Sequence, residues 1–130
     1  MTDSPRVFRN DVFEPGSKFP RARMTDFRTD DVLTQASFTG SVQLNVFDIS
    51  SSTPTTALFS TTRTLASVVF NSLQPWTLDA DGFNFGDTIT SNEVAWEGGH
   101  TFRLSYLLTH ATDGLYPLVF EIRCRDLLSV

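Results

Sequence analysis

The chain contains little cysteine and little lysine. Its single cysteine, Cys124, cannot form a disulfide within the chain, so cysteine usage gives no indication of secretion. Lysine occurs once, at Lys18, among ten basic residues. The N-terminus lacks the basic and then apolar pattern of a signal peptide, and no apolar run approaches the roughly 18 residues of a membrane-spanning helix. We therefore expect a protein that is made in the cytoplasm and binds no membrane.

An excess of positive charge is also absent, since the net charge is -5. Residues 1–31 carry six basic and six acidic groups, whereas residues 32–130 carry four basic and nine acidic groups. The larger part of the chain would repel a phosphate backbone, and the acids of the first part neutralise its arginines. The charge pattern therefore predicts no binding to nucleic acid.

Residues that bind metal ions are few. The two histidines, His100 and His110, have no second histidine or cysteine at metal-ligand spacing. Asp79, Asp81 and Asn84 surround a glycine, but their spacing does not fit an EF-hand loop. We interpret the three as parts of a β-turn and predict no metal site and no cofactor.

Catalytic motifs are missing as well. Cys124 lies on the inward-facing side of a predicted strand, and no serine occupies a Gly-x-Ser-x-Gly elbow. Glu93 and Glu97 form the nearest pair of carboxylates, but they flank a tryptophan beside a Gly-Gly turn, as solvated acids at a strand end would. The sequence predicts a protein that is not an enzyme.

The first 31 residues contain proline, glycine and four phenylalanines without the period of a helix or a strand. We predict an extended N-terminal arm over residues 1–31, followed by a domain over residues 32–130. Because disordered tails are poor in aromatic residues, something should cover these rings. The cover is either the domain's own flank, with an edge strand around residues 7–12, or a neighbouring subunit. The arm residues predicted to bind a partner are Phe8, Arg9, Phe13, Phe19, Arg21, Arg23, Phe27 and Arg28.

The rest of the chain has the pattern of an antiparallel β-sandwich. Residues 102–108 and 118–125 alternate strongly between an apolar inward face and a mostly polar outward face, and the segment between them, 110–116, contains an Asp-Gly turn. Pairing of these strands places Arg103 near Glu121 or Arg123. Phe83 and Phe85 should point to the same side of another strand. Residues 65–73 fit both a helical face and a strand face, and we favour one or two helical turns.

The fold class predicted is all-β, an antiparallel sandwich of immunoglobulin-like or jelly-roll-like type with an extended arm and at most one short helix.

Five runs carry a resemblance to a known group of proteins. They are 7–11 (VFRND), 42–48 (VQLNVFD), 76–85 (WTLDADGFNF), 98–106 (GGHTFRLSY) and 117–122 (PLVFEI).

With these runs the chain resembles small β-sandwich virion proteins of tailed bacteriophages. It is similar to their capsid decoration proteins and to the N-terminal attachment domains of upper-baseplate and fibre-adaptor proteins. The resemblance implies a non-enzymatic structural protein of the virion, located in the particle and present as a homo-oligomer. It implies other virion proteins as partners, from the capsid, neck or tail. Because no fibre or receptor-binding part follows residue 125, a capsid decoration protein or a small adaptor is favoured.

A function of a different class is binding of carbohydrate for adhesion to a host surface. Many β-sandwich lectins stack sugars on exposed aromatic rings, beside polar side chains on loops. The residues that would face a glycan are Trp96, His110, Asp113 and Tyr116.

Overall fold

The structure, a computed structural model, describes residues 6–13, 19–26, 29, 31–76, 80–90, 92–112 and 114–125, with the backbone alone for 6–13 and 125. The strands of this part of the chain are β1 (Arg6–Phe13), β2 (Arg21–Ala22), β3 (Phe38–Asp48), β4 (Phe59–Arg63), β5 (Val69–Gln74), β6 (Phe83–Gly86), β7 (Thr101–His110) and β8 (Gly114–Arg125). The helices are a 3-10 turn at Gln35–Ser37 and α1 (Leu65–Val68). Neither of these helices is long enough to cross a bilayer.

The strands form two sheets. The large sheet has the order β1-β8-β7-β3-β4, and the small sheet has the order β2-β6-β5. All pairings between these strands are antiparallel except that of β1 with β8. The prediction of an all-β sandwich with at most one short helix is confirmed.

The core lies between the two sheets and is rich in aromatic rings. Phe85 of the small sheet contacts two rings of the large sheet, Tyr106 at 4.8 Å and Phe120 at 5.9 Å between centroids. Cys124 is buried, as predicted. The inward-facing residues of β7 and β8 are also buried as predicted; they are Phe102, Leu104, Tyr106, Leu108, Leu118, Phe120 and Ile122.

The hairpin of β7 and β8 is longer than predicted. β7 continues to His110 and β8 begins at Gly114, so both strands extend into the segment expected to be a seven-residue turn. Gly114 has φ of 87°, which permits the tight reversal. Arg103 lies opposite Glu121, with 3.2 Å between its guanidinium and the carboxylate, as expected.

The ambiguous stretch 65–73 contains a helical turn and a strand in succession. Leu65–Val68 is one turn of helix, and β5 begins at Val69, which pairs with Phe85. Valine and phenylalanine at the start of β5 favour extended backbone, so the helix ends after one turn. Trp76 follows β5 and lies outside any strand.

The N-terminal segment belongs to both sheets of the same chain. β1 lies along the edge of β8, with Arg6 opposite Leu118. β2 pairs with β6, and Ala22 and Met24 are fully buried in the core. This arrangement corresponds to the alternative in which the domain's own flank carries the segment.

Gly82 provides the first testable prediction. Its φ is 100°, and a Cβ atom at this position would lie 2.3 Å from the carbonyl oxygen of Gln74. Gly99 has a similar φ of 83° but open space around it. We expect Gly82→Ala to lower the free energy of unfolding by at least about 2 kcal/mol, and Gly99→Ala by about 1 kcal/mol from backbone strain alone. The free energies of unfolding would be measured by urea denaturation, and equal losses for Gly82→Ala and Gly99→Ala would contradict the steric argument.

Candidate protein-binding surface

Arginine and aromatic side chains gather on the solvent side of the small sheet. Arg21 and Arg23 face outward, since the residues that alternate with them, Ala22 and Met24, are buried. We call the group the aromatic–arginine surface. Its members are Phe19, Arg21, Arg23, Phe70, Trp76 and Phe83.

Stacking holds this surface together. The Arg21 guanidinium lies 5.4 Å from the ring centroid of Phe19 and 4.9 Å from that of Phe83. The Arg23 guanidinium lies 5.9 Å from the centroid of Trp76. The Trp76 ring lies 5.7 Å from that of Phe83. Each arginine thus covers an aromatic face, a contact that stabilises both groups by about 0.5–1 kcal/mol at exposed sites.

The two arginines differ in their polar partners. Arg23 donates a hydrogen bond to the carbonyl of Gly82 at 3.2 Å and lies 3.7 Å from the carboxylate of Asp81. Within the described residues, Arg21 makes no ion pair, and its side chain is exposed. The positive charge of Arg21 is therefore available to a partner.

A cleft of about 380 Å³ opens beside Arg21. The Phe19 ring stands at its rim and is 58% exposed, which is unusual for so large an apolar side chain. Gly86 contributes no side chain, and this leaves the ring edges of Phe70 and Phe83 uncovered. The lining residues are Phe19, Arg21, Ser67, Phe70, Phe83, Gly86, Asp87 and Thr88.

The prediction that Phe83 and Phe85 point to the same side is wrong. The Phe85 ring lies in the core, whereas the Phe83 ring contacts Phe70 at 5.8 Å beside the cleft. The pairing of β5 and β6 shifts register between Val69 and Gln74. Such an irregularity breaks the two-residue alternation on which the prediction depended.

A part-buried ionic network lies behind the cleft. Arg63 donates to both oxygens of Asp87, at 3.1 and 3.0 Å, and to both oxygens of Glu93, at 2.7 and 3.0 Å. The Tyr106 hydroxyl donates to Asp87 at 2.6 Å. One guanidinium thus meets two carboxylates, which leaves the network with one net negative charge.

Arg63, Glu93 and Tyr106 of this network have shifted pKa values. The hydrogen bonds from Arg63 lower the pKa of Glu93, and the same bonds raise the pKa of Arg63. Burial, followed by the negative charge of Asp87, raises the pKa of Tyr106. Around neutral pH, Arg63 therefore stays protonated, Glu93 stays ionised and Tyr106 keeps its hydroxyl proton. The network ties β4 and β7 to the segment that follows β6.

Asn84 joins the N-terminal segment to the small sheet. Its amide oxygen accepts from the backbone N–H of Met24 at 2.6 Å, and its amide nitrogen donates to the carbonyls of Met24 at 2.9 Å and Leu33 at 2.7 Å. Because Asn84 is fully buried, it does not face a cation with Asp81, which is exposed. Asp79 lies outside the described residues.

The predicted arm residues fall into two groups. Phe19, Arg21 and Arg23 lie together in the aromatic–arginine surface. The backbones of Phe8, Arg9 and Phe13 lie in β1, and their side chains are outside the described part of the structure, as are Phe27 and Arg28 altogether.

The proposed glycan platform does not form as expected. Trp96 is 6% exposed, and its ring makes an edge contact with Phe102 at 4.9 Å. Tyr116 is 5% exposed, and its hydroxyl donates to the carbonyl of Thr25. Neither ring offers a face to a sugar, because the alternation of β8 directs Tyr116 into the core. His110 is half-buried against Phe38, and Asp113 lies outside the described residues.

Asp48, Glu97 and His100 form the group within the described residues that could hold a metal ion. Their ligand atoms lie within 4.8 Å of one another. His100 Nδ1 is 2.7 Å from a carboxylate oxygen of Asp48, and the other oxygen of Asp48 accepts from the backbone N–H of Ser50. Asp48 and His100 therefore have a structural role without a metal ion, because their hydrogen bond links the end of β3 to the start of β7.

Sequence reasoning missed half of the aromatic–arginine surface. Phe70, Trp76 and Phe83 are distant from Arg21 along the chain, so no local pattern connects them. Arg21 and Arg23 are among the residues predicted to bind a partner, and their alternation with Ala22 and Met24 is a strand signal that could also have placed them on one outward face.

Comparison of the chain with known proteins identifies no relative, so the resemblance to phage proteins stays a prediction. No family model, curated protein or solved structure matches the chain.

Proposed function

We propose that this chain is a non-enzymatic structural protein of a particle, of the bacteriophage kind that its sequence resembles, and that it binds a neighbouring subunit through the aromatic–arginine surface. The observation that carries the proposal is the exposed ring of Phe19 beside Arg21, at the rim of an open cleft. A large exposed aromatic ring next to an arginine that forms no ion pair within the described part of the chain is typical of an interface.

The composition of this surface favours a protein as the partner. Aromatic residues and arginine contribute most of the binding energy in many protein interfaces, particularly around a pocket that the partner fills. The stacking of Arg21 on Phe19 and Phe83 also restricts these side chains before binding, which lowers the entropy lost when a partner docks.

Carbohydrate binding has less support from the geometry. The aromatic rings that were candidates for stacking on sugars, Trp96 and Tyr116, are buried. The exposed ring of Phe19 lies instead beside Arg21 at the cleft.

The test is the amount of the protein in purified particles. Cells that assemble the particle would produce either the wild type or the double variant Phe19→Ser/Arg21→Glu, and the protein in the particles would be measured by quantitative mass spectrometry. We expect the amount of the double variant in particles to be at least about tenfold lower than that of the wild type, because the variant loses the apolar anchor and reverses the charge. Its melting temperature should stay within a few degrees, since both side chains are exposed.

A matched control is Leu58→Ser/Arg123→Glu, which removes an apolar side chain that is 53% exposed and reverses an exposed arginine elsewhere. This control should enter particles at the wild-type level. Normal incorporation of the first double variant, or absence of the wild-type protein from particles, would refute the proposed function.

A further inference from the structure

We infer that the cleft binds an extended peptide segment of the partner that carries an Asp or Glu and, two residues away, a branched apolar or aromatic side chain. This inference rests on the proposed function and names the chemistry that the aromatic–arginine surface recognises. The inference has two halves. The carboxylate half is argued from Arg21, and the apolar half is argued from the cleft beside it.

The carboxylate half follows from the way Arg21 is stacked. A guanidinium that stacks on rings keeps its N–H donors in its own plane, where they can form two parallel bonds with a carboxylate. Arg21 lies over Phe19 and Phe83 and has no ion pair among the described residues. An acidic side chain of the partner would therefore find both its charge and its hydrogen bonds matched.

The apolar half follows from the shape of the cleft. Its volume of about 380 Å³ can hold one or two side chains, and the rings of Phe70 and Phe83 line it where Gly86 has no side chain. Phe83 contacts both Arg21 and the cleft. The acidic and apolar side chains must therefore project from the same side of the segment, as residues i and i+2 of an extended chain do.

The charge behind the cleft favours a carboxylate over a phosphate group. Asp87 lines the cleft and belongs to the network of one arginine and two carboxylates, which bears a net negative charge. Phosphate groups, with about two negative charges, are recognised by clusters of arginines, whereas Arg21 is the one basic residue among the described residues that line the cleft. We therefore expect an acidic segment and not a phosphorylated one.

The probe is the acetylated and amidated peptide Gly-Asp-Ser-Leu-Ser-Gly, titrated into the full chain and followed by NMR. The reporting signals are the backbone amide of Gly86, the Nε–H of Arg21 and the indole N–H of Trp76, with the indole of the buried Trp96 as an internal reference. We expect saturable shifts of the first three signals, with a dissociation constant on the order of 0.1–1 mM for so short a contact.

Changes in the peptide test each half without any risk to folding. Asn in place of Asp should weaken binding at least about fivefold, and Ser in place of Leu should do the same. Phosphoserine in place of Asp should bind no better than Asp. In the protein, Arg21→Gln should remove the preference for Asp over Asn, whereas Arg103→Gln on the large sheet should leave it unchanged.

Equal binding of the Asp and Asn peptides, tighter binding of the phosphoserine peptide, or no shift up to about 5 mM would overturn the inference. The particle assay separates this failure from failure of the proposed function. If Phe19→Ser/Arg21→Glu is lost from particles while none of the peptides is bound as described, the surface joins subunits but recognises something other than an acidic segment.

Discussion

Replacing Asn84 by alanine should lower the free energy of unfolding by about 3–5 kcal/mol, the largest effect that we expect for a single substitution in this protein. The fully buried amide satisfies three backbone groups, the N–H and carbonyl of Met24 and the carbonyl of Leu33. The carbonyl of Met24 also accepts from the N–H of Leu33, so the substitution takes the described partner from the N–H of Met24 and from the carbonyl of Leu33, and each buried group left without a partner costs about 1–3 kcal/mol. The measurement is urea denaturation followed by fluorescence.

Asn84→Asp has almost the same shape and tests the cause. It keeps an acceptor for the N–H of Met24 but places a carboxylate oxygen against two carbonyls, so it should destabilise the protein at least as much as Asn84→Ala. The control is Asn45→Ala, because Asn45 is only half-buried and bonds to the side chains of Ser60 and Gln43. Its loss should stay below about 1 kcal/mol. Similar losses for Asn84→Ala and Asn45→Ala would contradict the role assigned to Asn84.

Replacing Arg63 by methionine should cost about 3 kcal/mol at pH 7. Methionine preserves much of the side-chain volume but leaves the carboxylates of Asp87 and Glu93 without their common partner. The control is Arg103→Met, which breaks a pair with Glu121 on the surface, where Arg103 is 46% exposed. Exposed pairs contribute at most about 1 kcal/mol, so this variant should be almost as stable as the wild type.

The pH dependence identifies the charge as the cause. The pKa of Glu93 is lowered in the folded protein, so the stabilisation from its pair with Arg63 is fully present above the pKa of an unfolded glutamate and is lost as the pH falls through the folded value. In Arg63→Met, acid instead neutralises a carboxylate that has lost its cationic partner. The difference in stability between wild type and Arg63→Met should therefore shrink between pH 7 and about pH 3. A constant difference over this range would indicate lost packing instead of lost charge.

The hairpin of β7 and β8 was predictable because each strand has one wet and one buried face. The two-residue alternation over 102–108 and 118–124 then determines which side chains enter the core and which residues pair across the strands. The pair of Arg103 and Glu121 follows from that register alone. This information is local, because the sequences of one strand and of the next strand along the chain are sufficient to predict the pairing.

The interactions on the small sheet could not be predicted in this way. In the sequence, Asn84 stands beside aspartates and a glycine, as a residue of a turn or a cation site would. It is a buried amide only because Met24 and Leu33 of the N-terminal segment pack against it. Phe83 differs from Phe85 because the sheet is irregular, which no periodicity reveals. Arg63 finds its carboxylates on a segment that follows β6. Each of these contacts depends on tertiary structure, and the candidate surface depends on it as well.

The pairing of β1 with β8 has a consequence for how the protein folds as it is synthesised. β1 leaves the ribosome about a hundred residues before β8, yet the two strands are neighbours in the large sheet, with Arg6 opposite Leu118. Until β8 has emerged, β1 has no edge to join, and β7 also lacks one of its two neighbours. Closing so long a loop is slow, so the large sheet is completed only after β8 has been synthesised. β1 therefore waits for its partner while the strands between β1 and β8 are made.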